Sequence, residues 1–313
     1  MGPHSPSHKL NRQELGFGQK IPCCHFFDPT LYFTNHSKNR GIIAPTDYLL
    51  KVLTGLAAIA LVKKSSSPRQ IMYNGMNDPH LENCMPHHEN HLFQYDCDAI
   101  LFDLDGVLVD SRHCVERHWL EWAGQHHLNK DKVLHYAHGR RTVETIRLVA
   151  PQLDAEREAA ELEASEAHDS VGLIKIPGAL DLLQSIPADA WAIATSGTHA
   201  IAATRLAFAG LPVPEVLICA EDVEAGKPDP EPYLFAAMML GVQPARCVVI
   251  EDAPAGILAG RAAGMHVVGV ISSSYPAEEL SHAHIIVRKL SDIEVLPSAG
   301  VGQARLIVRM KGI

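Results

Sequence analysis

From Asp98 onward the chain alternates short, wholly apolar runs with segments of helical character, and this constrains the fold more than anything else in the sequence. Apolar runs of this length bounded by turn residues are buried strands, and strands that alternate with helices build a parallel sheet covered on both faces. The pattern predicts strands at Ala99 to Phe102, Trp191 to Ala194, Val216 to Cys219, Cys247 to Ile250 and His266 to Val270. A doubly wound, Rossmann-like α/β core is expected. About 90 residues separate the first two strands, far more than one crossover helix requires. They contain helical candidates at Val115 to Ala123, Thr142 to Val149 and Asp154 to His168, before Pro177 and Gly178 break the pattern. The expected organisation is a core made of residues 98–111 and 176–313, with a helical cap domain inserted at 112–175.

Residues 1–97 differ in kind. They carry 9 basic and 7 acidic residues, whereas the whole chain has 27 basic and 36 acidic and a formal charge of −9. No sustained strand or helix period is evident in them, and they read as a disordered leader. The apolar run Val52 to Val62 is too short for a bilayer, which needs about 20 residues, and its position makes it a poor secretory signal. Eight of the 19 histidines lie in this leader and suggest no defined site. A net negative charge without a basic stripe argues against nucleic acid. Seven cysteines without paired CxxC spacing argue against a disulfide framework or a structural zinc site. A cytoplasmic protein with no membrane partner is expected.

The chemistry is concentrated where the strands end, the edge on which an open α/β sheet carries its ligands. In DAILFDLDGVLVDS the first strand runs into Asp103-Leu104-Asp105-Gly106, and acids two apart should point into one crevice. Two carboxylates placed together are most simply reconciled by a divalent cation, and hard oxygen ligands suit magnesium. Gly106 permits a tight turn that brings backbone amides near an anion. After WAIA, Thr195, Ser196 and Gly197 offer hydroxyls and amides at the start of a helix expected over Thr198 to Ala209. Lys227, between Gly226 and Pro228, is a fixed point charge suited to phosphate. Glu251 and Asp252 end the most apolar strand, where unpaired acids are costly without a cation.

Taken in this order, these residues resemble the four motifs of the haloacid dehalogenase superfamily, over essentially all of Asp98 to Ile286. HGRRTVETIRLVAP, WAIATSGT, AGKPDPEPYL and IEDAPAGILAGRAAG are similar to the small sugar-phosphatase branch that includes glycerol-1-phosphatases and 2-deoxyglucose-6-phosphatases. The resemblance implies a phosphomonoester hydrolase acting on a small sugar or polyol phosphate through an aspartyl-phosphate intermediate. Asp103 would be the nucleophile, and Asp105 the acid that protonates the leaving oxygen and then activates water. Mg2+ would be held by Asp103, Asp252 and the backbone carbonyl of Asp105, with Glu251 direct or through water. Thr195, Ser196 and Lys227 would bind the phosphoryl group. In the cap, the loop His138 to Arg141 places Arg140 and Arg141 where they can grip a sugar hydroxyl or a second anion. Two alternatives stay open. One is a phosphotransferase resembling β-phosphoglucomutases, although Thr142 stands where those carry a phosphate-gripping arginine. The other is a module that has kept the fold without the reaction.

Overall fold

The computed structural model describes residues 92–272, 274–298 and 305–313. The apolar run at Val52 to Val62 and the histidine-rich stretch before His91 lie outside the described residues.

In chain order the strands are β1 (Leu92–Cys97), β2 (Ala99–Phe102), β3 (Val109–Asp110), β4 (Ile174–Lys175), β5 (Trp191–Ala194), β6 (Leu217–Ile218), β7 (Cys247–Glu251), β8 (His266–Val270), β9 (Ile285–Val287), β10 (Ile293–Pro297) and β11 (Leu306–Lys311). The helices are α1 (Arg112–Gln125), α2 (Lys130–Ala137), α3 (Thr142–Val149), α4 (Ala155–Glu166), α5 (Ala179–Gln184), α6 (His199–Ala209), α7 (Glu231–Leu240) and α8 (Pro254–Ala262). Six strands form one parallel sheet in the order β6-β5-β2-β7-β8-β9. The chain moves outward from β2 through β5 to β6, then crosses back to β7. The order therefore reverses beside β2, and a crevice opens there at the C-terminal ends of the strands.

The strands are apolar throughout because both faces are covered. Ile100, Phe102, Ile193, Val248 and Ile250 pack with Leu183 of α5 and Leu206 of α6. The alternate residues Ala99, Leu101, Ala192, Ala194 and Val249 pack with Tyr233 and Ala236 of α7 and Ile257 of α8. Period-two alternation thus sends the two halves of each strand into two separate cores.

Helices α1 to α4 lie between β3 and β4, which pair antiparallel through Val109↔Lys175 and Asp110↔Ile174. This short ribbon carries the chain out of the sheet and back. The inserted helices enclose their own core, in which Trp119 and Trp122 meet edge to face at 5.4 Å and pack with Val133, Ile146, Val149 and Leu162. Helix α2 was not anticipated. Asn129 caps it by accepting from Lys132 N–H at 2.9 Å, and its only buried residues are Val133 and Ala137, too few for a clear helical stripe in the sequence.

The boundary expected after residue 97 needs correction. Leu92–Cys97 is a strand, paired along its length with β11, which in turn pairs with β10. These three antiparallel strands form a second sheet. The inner face of β11, formed by Leu306, Val308 and Met310, joins the same core as β2. Strand β1 is mostly exposed and its partner lies at the far end of the chain, so no local signal marks it. Among the described residues no helix is long and apolar enough to cross a membrane.

Candidate active site

The acids predicted from the strand ends converge. Asp103 follows β2 directly and donates its amide to the carbonyl of Ile250 in β7 at 3.0 Å, which locks the two strand ends together. Carboxylate oxygens of Asp103, Glu251 and Asp252 all lie within 4.8 Å of one another, and all three residues are buried. Gly106, at φ +80°, makes the close approach possible: a Cβ there would stand 1.9 Å from Oδ2 of Asp252.

Lys227 is fully enclosed and reaches this cluster from the loop before α7, with Nζ 2.6 Å from Asp103 Oδ1 and 2.7 Å from Glu251 Oε1. Burial opposes its charge, but Asp103 and Glu251 outweigh that effect and hold the ammonium above the usual lysine range. Burial, together with repulsion from Glu251 and Asp105, pushes the Asp103 carboxyl up to about 7 despite Lys227. Asp252 is raised well above the ordinary carboxylate range by burial and by Glu251 and Asp103. One ammonium against three carboxylates leaves two negative charges uncompensated when all are ionised. A buried, all-oxygen donor set with that deficit fits a hard divalent cation.

Glu251 is more constrained than its sequence position suggested. Its Oε1 accepts from Lys227 Nζ and from Tyr233 Oη at 2.9 Å, and its Oε2 accepts the amides of Asp252 and Ala253, both at 2.9 Å. Both oxygens are thus engaged within the protein, and the side chain fixes Lys227. Tyr233, which sequence reasoning missed, also places its ring 4.9 Å from the ammonium. Only its position on the first turns of the helix after the GKP loop hinted at this.

A pocket beside the acid cluster is lined by Asp103, Asp105, Thr195, Ser196, Gly197 and Arg140, among others. Asp103 and Asp105 therefore share a crevice, as their spacing implied, but the Asp105 side chain stands apart from the acid cluster. It meets Arg205 of α6, with Nε 2.6 Å from Oδ1. Arg205 was not anticipated. Thr195 hangs from β6 through its amide, which donates to Ile218 O at 2.9 Å, and its hydroxyl oxygen accepts from Gly197 N–H at 3.1 Å. Thr198 caps α6, so the Thr195–Gly197 amides lie at a helix start. Ser196 donates its hydroxyl to the carbonyl of Gly139 at 3.2 Å, joining the sheet to the insert.

Arg141 does not take the place assigned to it. Its Nε donates to Glu144 Oε1 at 2.9 Å, and its other nitrogens donate to the carbonyls of Val223 at 3.0 Å and Glu224 at 2.8 Å. The guanidinium is consumed in holding the insert against the loop before Lys227, and Arg141 is not among the pocket-lining residues. Gly226 permits this approach, since a Cβ there would lie 2.7 Å from Arg141 Nε. Arg140 alone of the two arginines lines the pocket.

Residues 97–264 match the family model described as haloacid dehalogenase-like hydrolase. The chain is 43% identical over 209 residues to hexitol phosphatase A of Escherichia coli, covering 64% of this chain and 94% of that protein. It is 36% identical over 180 residues to glycerol-1-phosphate phosphohydrolase 1 of Saccharomyces cerevisiae, covering 53% of this chain and 72% of that protein. A hydrolase from Pseudomonas syringae superposes with a TM-score of 0.57 at 28% identity, over 61% of this chain and 94% of that one. A β-phosphoglucomutase from Clostridium difficile superposes with a TM-score of 0.53 at 25% identity, over 62% of this chain and 91% of that one.

Proposed function

We propose that the chain, which belongs to the haloacid dehalogenase-like hydrolases and is a phosphatase, hydrolyses a small sugar or polyol phosphate with Asp103 as nucleophile. The observation that carries the mechanism is the placement of Asp103: bonded to an enclosed lysine, in a cluster two charges short of neutrality, and lining the same pocket as Asp105. The substrate class rests on the relatives, named for a hexitol phosphatase and a glycerol-1-phosphate phosphohydrolase.

In the first half-reaction Asp103 attacks phosphorus and the bond to the leaving oxygen breaks, with Asp105 giving that oxygen its proton. In the second, Asp105 takes a proton from water as the water oxygen bonds to phosphorus and the aspartyl-phosphate bond breaks. Asp103, Asp252 and the Asp105 carbonyl would hold magnesium, with Glu251 adding charge while it fixes Lys227. When bound, the cation screens the phosphate's negative charge from the attacking carboxylate. Lys227 and the Thr195 hydroxyl bind the phosphoryl oxygens, so positioning and charge stabilisation supply most of the rate. The insert at 112–175 acts as a cap that excludes water and meets the leaving group. A cytoplasmic location fits a metabolite phosphatase.

The test is release of inorganic phosphate from a panel of hexitol, hexose and glycerol phosphates, with magnesium and with a chelator. Magnesium-dependent turnover of one or more of these supports the reading. Conversion of β-glucose 1-phosphate to glucose 6-phosphate, without phosphate release, would instead establish a mutase.

A further inference from the structure

The side chain of Arg205 is 4% exposed and carries its charge into the wall of the pocket, where it meets two carboxylates from different parts of the fold. One is Asp105, on the catalytic loop after β2. The other is Glu166, at the end of α4 in the insert, itself 8% exposed. A buried guanidinium is costly unless paired, so this arrangement is specific rather than incidental. We propose that Arg205 is a positioning residue for Asp105, and that Glu166 makes this positioning depend on the docked insert.

Helix α6 explains why Arg205 can do this. It starts directly after the Thr195–Gly197 loop, and long helical side chains lean toward the N-terminus. Arg205, two turns along, leans back toward the pocket, and its guanidinium comes within 3.6 Å of where a Cβ on Gly197 would be. The neighbouring Thr204 donates its hydroxyl to the carbonyl of Ala167, so the end of α4 is seated on α6 beside the ion pair. Arg205 therefore lies where the insert docks and where Asp105 is held.

The contact with Asp105 has a further feature. Although Nε and Oδ1 are 2.6 Å apart, their geometry is not that of a hydrogen bond. Asp105 is held by charge from one side, leaving its carboxyl able to turn toward a leaving oxygen or a water. Arg205 fixes where that carboxyl starts; when α4 lifts, Glu166 no longer steadies the guanidinium and Asp105 loses its fixed place.

The inference rests on the role of Asp105 given above, but its test does not need the natural substrate. The full chain, with magnesium, would be assayed on aryl phosphates of rising leaving-group pKa, from nitrophenyl to phenyl phosphate, and the fraction of phosphoenzyme measured after acid quench. Arg205→Met should steepen the dependence of kcat/KM on leaving group, with a loss of about 100-fold on phenyl phosphate and under tenfold on nitrophenyl phosphate, the size typical of lost acid catalysis. It should also accumulate phosphoenzyme with nitrophenyl phosphate, as Asp105→Asn should. Glu166→Gln, which removes one charge from the insert and keeps the shape, should shift both readouts in the same direction by less. Arg205→Gln, which also removes the charge, provides the same readouts if the Met variant is insoluble. Equal losses on all aryl phosphates, or no loss, in soluble variants would overturn the proposal. Failure of the wild type on sugar and polyol phosphates alone would refute the substrate assignment and leave this result standing.

Discussion

Nζ of Lys227 lies 2.6 Å from Oδ1 of Asp103, and the lysine has no exposed surface. Lys227 is the sole cation within bonding distance of the acid cluster among the described residues, so removing it should affect stability as well as catalysis. Truncating one partner of a buried pair costs about 3 to 5 kcal/mol. Lys227→Met should therefore lower Tm measurably in the absence of divalent cations. Magnesium should restore more of that loss than it adds to the wild type, because the remaining site is more negative. Thermal denaturation across a magnesium titration tests this. In Asp252→Asn the magnesium-dependent rise in Tm should largely disappear, and an unchanged rise would place the cation elsewhere.

The two neighbouring arginines should behave differently. Arg140 lines the pocket, so Arg140→Ala should raise KM for the preferred sugar phosphate about tenfold or more, consistent with loss of a charge-assisted hydrogen bond worth about 1.5 to 3 kcal/mol, while sparing a small aryl phosphate. Arg141 is engaged with the carbonyls of Val223 and Glu224, so Arg141→Ala should loosen the insert and lower activity on both substrates alike. Steady-state kinetics on the two substrate types would separate these outcomes. A substrate-selective effect at Arg141 would restore it to a recognition role.

Acid should weaken the junction between the two sheets. His266 of β8 stacks between Tyr95 of β1 at 4.0 Å and His284 at 4.4 Å. Burial, with the neighbouring His284 and Arg261, depresses its pKa to about 4. The unfolded chain takes up this proton near pH 6.5, whereas the folded protein resists it, so stability falls as pH drops from about 6.5 toward about 4. His266→Phe keeps a stacking ring and removes the proton site, and should flatten the acid side of a Tm–pH curve. An identical slope in both proteins would show that other groups govern it.

Much of this site was legible because each of its acids and its lysine sits beside a feature visible locally. Asp103, Glu251 and Asp252 end wholly apolar strands, and Lys227 sits between a glycine and a proline. The features without a local signal depend on partners distant in sequence. Arg205 is the one Lys, Arg, Asp or Glu in the mainly apolar helix HAIAATRLAFA, and such a residue reads as the solvent face until Asp105 and Glu166 are seen around it. Arg141 shows the complementary case: its residue type suits an anion, but the loop at 220–224 reaches it first. Strand β1 escaped because it is completed by β11.

Whether phosphate passes through Asp103 is decided by a single-turnover reaction with magnesium and a hexitol phosphate, acid-quenched and mapped by peptide mass spectrometry. A transient phosphate is expected on the peptide containing Asp103, decaying as inorganic phosphate appears. A folded Asp103→Asn variant should show no adduct and a loss of turnover above about a thousandfold. Product formation with no phosphorylated peptide at any quench time, or phosphate on a different residue, would exclude Asp103 as the nucleophile.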